Sequence, residues 1–178
     1  MAARARSALN FSAMGALDAA RERSLAVART SLPRDVSSRL AALRADRSRG
    51  VTAVEESLRL EPAAARVDRY ATADTELGGA SIQRGDLVIV SLTAANRDPD
   101  TFPDPDVFDL SRPNSRSHLA FAQGPHACIG VHLAKLETQS ALDAVLDAWP
   151  GLQVDPGSTS PTGVIFRKPR SLPVRWDV

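Results

Sequence analysis

The chain has 178 residues, enough for one sizeable core or at most two small domains, and its 22 basic and 21 acidic residues leave a formal charge of +1. That balance gives no overall pull toward nucleic acid or an anionic membrane, and no apolar run approaches the roughly 20 residues a membrane helix needs. The single cysteine excludes an intramolecular disulfide, which is compatible with a reducing cytoplasm.

Residues 1–50 are rich in alanine and arginine, and apolar positions from Leu17 to Leu43 suit two or three helices interrupted near Pro33. Met1 to Leu17 carries arginines and serines but no acid. That composition is shared by transit peptides, but it reads better as a solvated amphipathic helix or a frayed end, and it lacks a secretory apolar region. Val51 to Leu60 is predicted to be a helix stopped by Pro62, with Glu56 and Arg59 three apart and so on one face. Such a pair is ordinarily a solvent-exposed ion pair worth a few tenths of a kcal/mol.

The character changes between residues 66 and 93. Arg66 to Ala71 suits a strand, Gly78-Gly79 is a hairpin turn signal, and Leu87 to Leu92 is a β-branched apolar run, so a small sheet is expected. An arginine on such a strand, Arg69, is ordinarily just exposed. Ala95 to Pro113 then combines four prolines, five aspartates and two phenylalanines. That is too many breakers for regular structure and too many aromatics for a linker, so an ordered, packed loop is predicted.

Phe121 to Gly130, FAQGPHACIG, surrounds the cysteine. Gly124 and Pro125 break regular structure, and Ile129 to Trp149 is predicted to be helical, which sets Cys128 near a helix start where unpaired N–H groups and the helix dipole suit an anionic sulfur. Phe121 supplies an apolar wall, Gly124 conformational freedom, and Gly130 room for a flat ligand beside the helix start. Three readings of the sulfur stand at this point: a ligand of iron, a zinc ligand with His126 and His132, or a small buried hydrophobe. Downstream, Leu142, Val145, Leu146 and Trp149 repeat as one core face, Pro150-Gly151 ends the helix, and the apolar runs Val164 to Phe166 and Leu172 to Trp176 suggest a closing hairpin.

The pattern Phe-x-x-Gly-x-x-x-Cys-x-Gly resembles the haem-binding loop of the bacterial soluble type of cytochrome P-450. Ala122 stands where the bacterial form usually has glycine, and Lys135 where it has arginine. The stretch EESLRLEP resembles the family's Glu-x-x-Arg helix, Arg69 to Gly79 its β region, and ANRDPDTFPDPDVFDLSRP the meander that precedes the cysteine loop. The ending SLPVRW is similar to its last strand, with Lys168 and Pro169 in place of the usual Gly-Leu.

The resemblance covers about Ser38 to the end. It implies a mainly helical α+β fold, the C-terminal, haem-binding part of a cytochrome P-450. A weakly matching helical segment, 1–50, precedes a core over 51–178. It further implies haem b (iron protoporphyrin IX) ligated through Cys128, propionates met by Arg69 and His126, and a loop shaped by Phe121, Gly124 and Gly130. Glu56, Arg59 and Arg112 would form a structural network. The stretch Gly15 to Ala20 aligns with the family's distal helix, which would make Asp18 a distal acid, with Ala16 and Ala19 where glycine and threonine are expected.

The implied function is a haem-thiolate oxidoreductase that inserts oxygen into a small hydrophobic substrate, fed by a ferredoxin- or flavodoxin-type redox partner in the cytoplasm. The match is shortened, so little activity is expected of the chain alone, and self-association or a partner chain is expected to cover its exposed surface. The alternative is a non-catalytic haem-binding or partner-stabilising protein derived from that family.

Overall fold

The computed structural model describes residues 36–155, 158 and 160–176. Asp18 and the helices expected before Val36 lie outside the described residues. Helix α1 (Val36–Ala45) leads through a short 3-10 turn (Arg47–Arg49) into α2 (Gly50–Leu60). Asp46 caps that turn, accepting from the Ser48 N–H at 3.1 Å and from Arg49 Nε at 3.0 Å. Gly50 allows α2 to start tight against a later helix, because a Cβ there would lie 2.5 Å from Gln139 Nε2. Buried Pro62 follows the helix and cannot continue it.

Strand β1 (Arg66–Tyr70) pairs antiparallel with β4 (Leu87–Ser91), in the register Arg66 opposite Ser91 and Tyr70 opposite Leu87. Between them β2 (Thr75–Leu77) and β3 (Ala80–Ile82) form a separate hairpin. Gly78 and Gly79, with φ of 58° and 79°, supply its turn, in the backbone region that glycine enters without a Cβ penalty. Ser91 caps the one-turn helix α3 (Leu92–Ala95), accepting from the Ala94 N–H at 3.1 Å.

Residues 96–130 contain only two 3-10 turns, Ser115–Ser117 and Gly124–His126, before helix α4 (Val131–Ala148). The helix starts two residues later than Ile129, because Gly130 is its cap and the Val131 N–H bonds back to the Cys128 carbonyl at 3.3 Å. At the other end Arg44 of α1 donates to the carbonyl of Leu146, in the last turn of the helix, and to that of Trp149, which also accepts from the Leu152 N–H at 3.1 Å. The core joins Leu43 of α1, Ala53 of α2 and Leu146 of α4, with Leu40, Phe108, Leu110 and Leu142 packed around it. Of the face predicted on α4, Leu146 is buried, while Trp149 is exposed because the chain turns away at that residue, with φ −130°.

The expected hairpin between 164–166 and 172–176 is not formed. Val164 to Phe166 returns instead against residues 63–65, with Ala65 N–H to Ile165 O and Arg167 N–H to Ala63 O both at 2.8 Å. Gly163 makes that turn at φ 128°, where a Cβ would lie 1.9 Å from the Phe166 carbonyl oxygen. Strand β6 (Val174–Arg175) pairs with β5 (Gln153–Val154), bringing the rings of Trp149 and Trp176 to 5.7 Å. The small sheet expected over residues 66–93 is therefore two separate two-stranded sheets, and β5 with β6 makes a third. No helix among the described residues is long and apolar enough to cross a membrane.

Candidate functional site

The cysteine loop is built from backbone bonds. Ala122 N–H donates to Leu119 O at 2.9 Å, Ala127 N–H to Gly124 O at 3.0 Å, and Cys128 N–H to Phe121 O at 2.9 Å. The last of these closes the loop and holds the cysteine against its start. Two residues take positive φ: Gly124 at 79°, and Ala122 at 57°. The second explains why glycine suits that position, since an L side chain there crowds the carbonyl that follows. Gly130 is different. Its φ of −87° is open to any residue, and an added Cβ would meet only Cys128 Sγ, at 3.9 Å. What Gly130 provides is free space beside the sulfur.

Cys128 is exposed, which removes the reading of a buried hydrophobe. His126 and His132 are also exposed, and no group of three or more His, Cys, Asp or Glu among the described residues could hold a metal ion, so the zinc reading fails on geometry. Phe121 is half-buried, its ring 6.2 Å from that of His118 and 5.7 Å from Lys135 Nζ. Arg69 lies exposed on β1, Nη1 donating to the Asp68 carbonyl at 2.9 Å. An apolar cavity of about 340 Å³ between α1, α2 and α4, lined by Leu40, Leu43, Val54, Leu60 and Leu142, shares no residue with the cysteine loop.

Glu56, Arg59 and Arg112 come together away from water, at 0%, 0% and 6% exposure. Arg59 uses all five of its N–H groups. Nε and Nη2 reach Glu56 at 2.7 and 2.9 Å, Nη1 reaches the carbonyls of Asn96 (2.9 Å) and Pro105 (2.6 Å), and Nη2 that of Val107 (3.1 Å). Arg112 Nε meets Glu56 Oε1 at 2.8 Å, and its Nη groups bind the carbonyls of Pro103, Asp104 and Val107. Burial pushes the Glu56 carboxyl upward, but hydrogen bonds from Arg59, Arg112 and the Asp109 N–H outweigh it and hold the group below its usual range. The three residues staple α2 to the loop of residues 96–113.

A second buried acid escaped the sequence reading. Glu55, beside Glu56 on α2, is 4% exposed and accepts from His118 Nε2 at 3.0 Å and from Lys135 Nζ at 2.8 Å. Burial lowers the His118 pKa, against the opposing hydrogen bond and charge of Glu55. The Ala120 N–H donates to Nδ1 at 3.1 Å, which leaves the proton of the neutral ring on Nε2, facing Glu55. The paired acids of EES were the available signal, since adjacent helix positions point about 100° apart and each needs its own partner.

An exposed cysteine just before a helix, with Gly130 leaving space beside its sulfur, thus stands in the same chain as a buried Glu-x-x-Arg staple, the pairing of features found in the haem-binding part of a cytochrome P-450 fold. The family model described as cytochrome P-450 matches residues 51–164, and the chain belongs to that family. It is similar to nocardicin C N-oxygenase of Nocardia uniformis subsp. tsuyamanensis, 44% identical over 130 residues, which are 70% of this chain and 32% of the relative. It is also similar to the cytochrome P-450 monooxygenase PikC of Streptomyces venezuelae, 43% identical over 144 residues, 77% and 34% of the two chains. Among solved structures, P450BioI in complex with a hexadec-9Z-enoic acid ligated acyl carrier protein superposes with a TM-score of 0.76 at 35% identity, covering 86% of this chain and 40% of that one. The chain thus spans about a third of the length of the curated relatives it matches. The fold is a partial cytochrome P-450 fold of helices and small sheets.

Proposed function

We propose that this chain carries the cysteine-bearing side of a cytochrome P-450 haem site, where the Cys128 thiolate would hold the iron of haem b. The carrying observation is the exposed sulfur beside Gly130, where a Cβ would meet nothing but Cys128 Sγ, at 3.9 Å. The residues present fit the group: Cys128 supplies a thiolate, Phe121 an apolar ring, and Arg69 and His126 exposed donors suited to propionates. Haem so ligated supplies dioxygen activation, which the electron-rich thiolate favours.

The chain's own contribution is to hold the sulfur. The Cys128 N–H bond to Phe121 O and the start of α4 fix its backbone from two sides. Within a longer chain the activity these residues would serve is monooxygenation of a small hydrophobic substrate, with electrons from a ferredoxin- or flavodoxin-type partner, a reading supported by relatives named as an N-oxygenase and a monooxygenase. The 178 residues alone would be a haem-binding chain of low coupling, because the described surroundings of Cys128 leave it open to water. A second reading, a haem-binding chain that works by joining another polypeptide, is favoured by the apolar side chains exposed just after the cysteine, Ile129 before α4 and Leu133 and Leu136 on it.

The test is the spectrum of purified protein loaded with haem, reduced and exposed to carbon monoxide. A red-shifted Soret band of a thiolate-ligated carbonyl is expected, lost in Cys128→Ala. A spectrum unchanged by that substitution, or stoichiometric zinc in place of haem, defeats the reading. Replacing Arg69 and His126 together, both exposed, should speed haem dissociation and leave the circular dichroism unchanged.

A further inference from the structure

Burying a carboxylate is costly unless its partners compensate, so a single acid that gathers donors from two distant segments says which segments must be held together. Glu55 does this. Through Oε2 it takes the His118 Nε2 proton at 3.0 Å and Lys135 Nζ at 2.8 Å, with Arg116 Nε at 3.9 Å from Oε1. His118 lies before the cysteine loop and Lys135 after it, in the second turn of α4.

From each partner a short path leads to the sulfur. On the leading side, His118 Nδ1 accepts from Ala120 N–H, and the next residue, Phe121, accepts the Cys128 N–H through its carbonyl. On the following side, Lys135 stands on the helix whose first N–H, at Val131, bonds to the Cys128 carbonyl. The Phe121 ring contacts both partners, 6.2 Å from the His118 ring and 5.7 Å from Lys135 Nζ. An apolar residue at Glu55 could fill the same volume, but it could accept from neither segment, whereas the carboxylate accepts from both.

We propose that Glu55 is a positioning residue for Cys128: through His118 it fixes the segment that leads into the cysteine loop, and through Lys135 the helix that leaves it. The assignment rests on Cys128 being the haem ligand. Glu55 touches neither the sulfur nor the haem face and acts through its two partners. Lys135, where the family usually has arginine, keeps the cation that this clamp needs.

The experiment is amide hydrogen exchange on the full chain without haem, reading Ala120 and Cys128 against Val54 and Ser57 inside α2. Glu55→Gln and Lys135→Met should speed exchange at Ala120 and Cys128 by about tenfold, the size of one lost charge-assisted bond, with the α2 amides unchanged. Lys135→Arg should restore protection. With haem added, the same two weakened variants should convert part of the red-shifted carbonyl band to the unshifted form, and Lys135→Arg should not. Unchanged exchange at Ala120 and Cys128 in both weakened variants overturns the proposal. So does acceleration of equal size at Val54 and Ser57, which would make Glu55 a general support of the fold. If the chain takes up no haem, the ligand reading fails, while the exchange result still decides whether the clamp exists.

Discussion

Replacing Arg59 by leucine removes five hydrogen bonds from a site with no access to water. Glu56 Oε2 loses its partner at 2.7 Å, and Oε1 keeps only Arg112 Nε at 2.8 Å and the Asp109 N–H at 3.1 Å. The Asn96 and Pro105 carbonyls lose the guanidinium, whereas Val107 O retains Arg112 Nη2 at 3.0 Å. Breaking a buried pair from one side costs about 3 to 5 kcal/mol. That is about a fifth, or more, of the roughly 5 to 15 kcal/mol that holds an ordinary domain folded. Urea unfolding followed by circular dichroism measures it. The control is Arg47→Ala, which breaks exposed pairs to Asp143 and Asp147 and should cost about 0 to 1 kcal/mol. If the damage comes from an uncompensated charge, Glu56→Gln added to Arg59→Leu should recover part of the loss, because the amide still accepts from Arg112. A loss below about 1 kcal/mol for Arg59→Leu, or a double variant less stable than the single one, would refute the reasoning.

Ala122→Gly should raise the melting temperature, by up to about 1 kcal/mol of stability, because it removes a Cβ from a residue at φ 57°. Gly130→Phe should weaken haem uptake while leaving the unfolding midpoint close to that of the parent, since its backbone is ordinary and the added side chain enters the space beside Cys128 Sγ. On acidification, stability should fall in two stages. His118, lowered from an ordinary 6.5 by burial among Glu55, Lys135 and Arg116, is neutral in the fold, so its contribution is complete above 6.5 and is lost as pH drops through its lowered value. Glu56, lowered from 4.5, adds a second loss beginning below 4.5. Thermal melts of His118→Gln against pH should lack the first stage; a parent protein whose decline begins only below 4.5 would contradict it.

Features encoded within a few residues were legible from the chain. Pro62 ends α2, Gly78-Gly79 turns a hairpin, and Gly124-Pro125 interrupts the chain before Cys128, each through the backbone preference of the residue itself. Pairing was less so. The apolar run ending in Trp176 reads correctly as containing a strand, yet periodicity carries no information on its partner, and β6 found Gln153–Val154. Glu55 remained hidden because its donors stand 63 and 80 positions away. Arg112 was placed through family resemblance, for its own neighbours Ser111 and Pro113 say nothing about a glutamate 56 residues earlier.

That spacing has a consequence in time. Arg59 binds carbonyls 37, 46 and 48 positions further on, so its guanidinium cannot leave water until the intervening chain, with both β hairpins, has closed over it. The closure gains nothing until the loop of residues 96–113 is nearly in place, which makes the staple one of the last parts of the molecule to form and one of the first that must open. Interactions made after the folding barrier slow unfolding and leave the folding rate almost untouched. The buried Glu56–Arg59–Arg112 network is therefore expected to act as a kinetic latch, so that Arg59→Leu speeds unfolding far more than it slows folding.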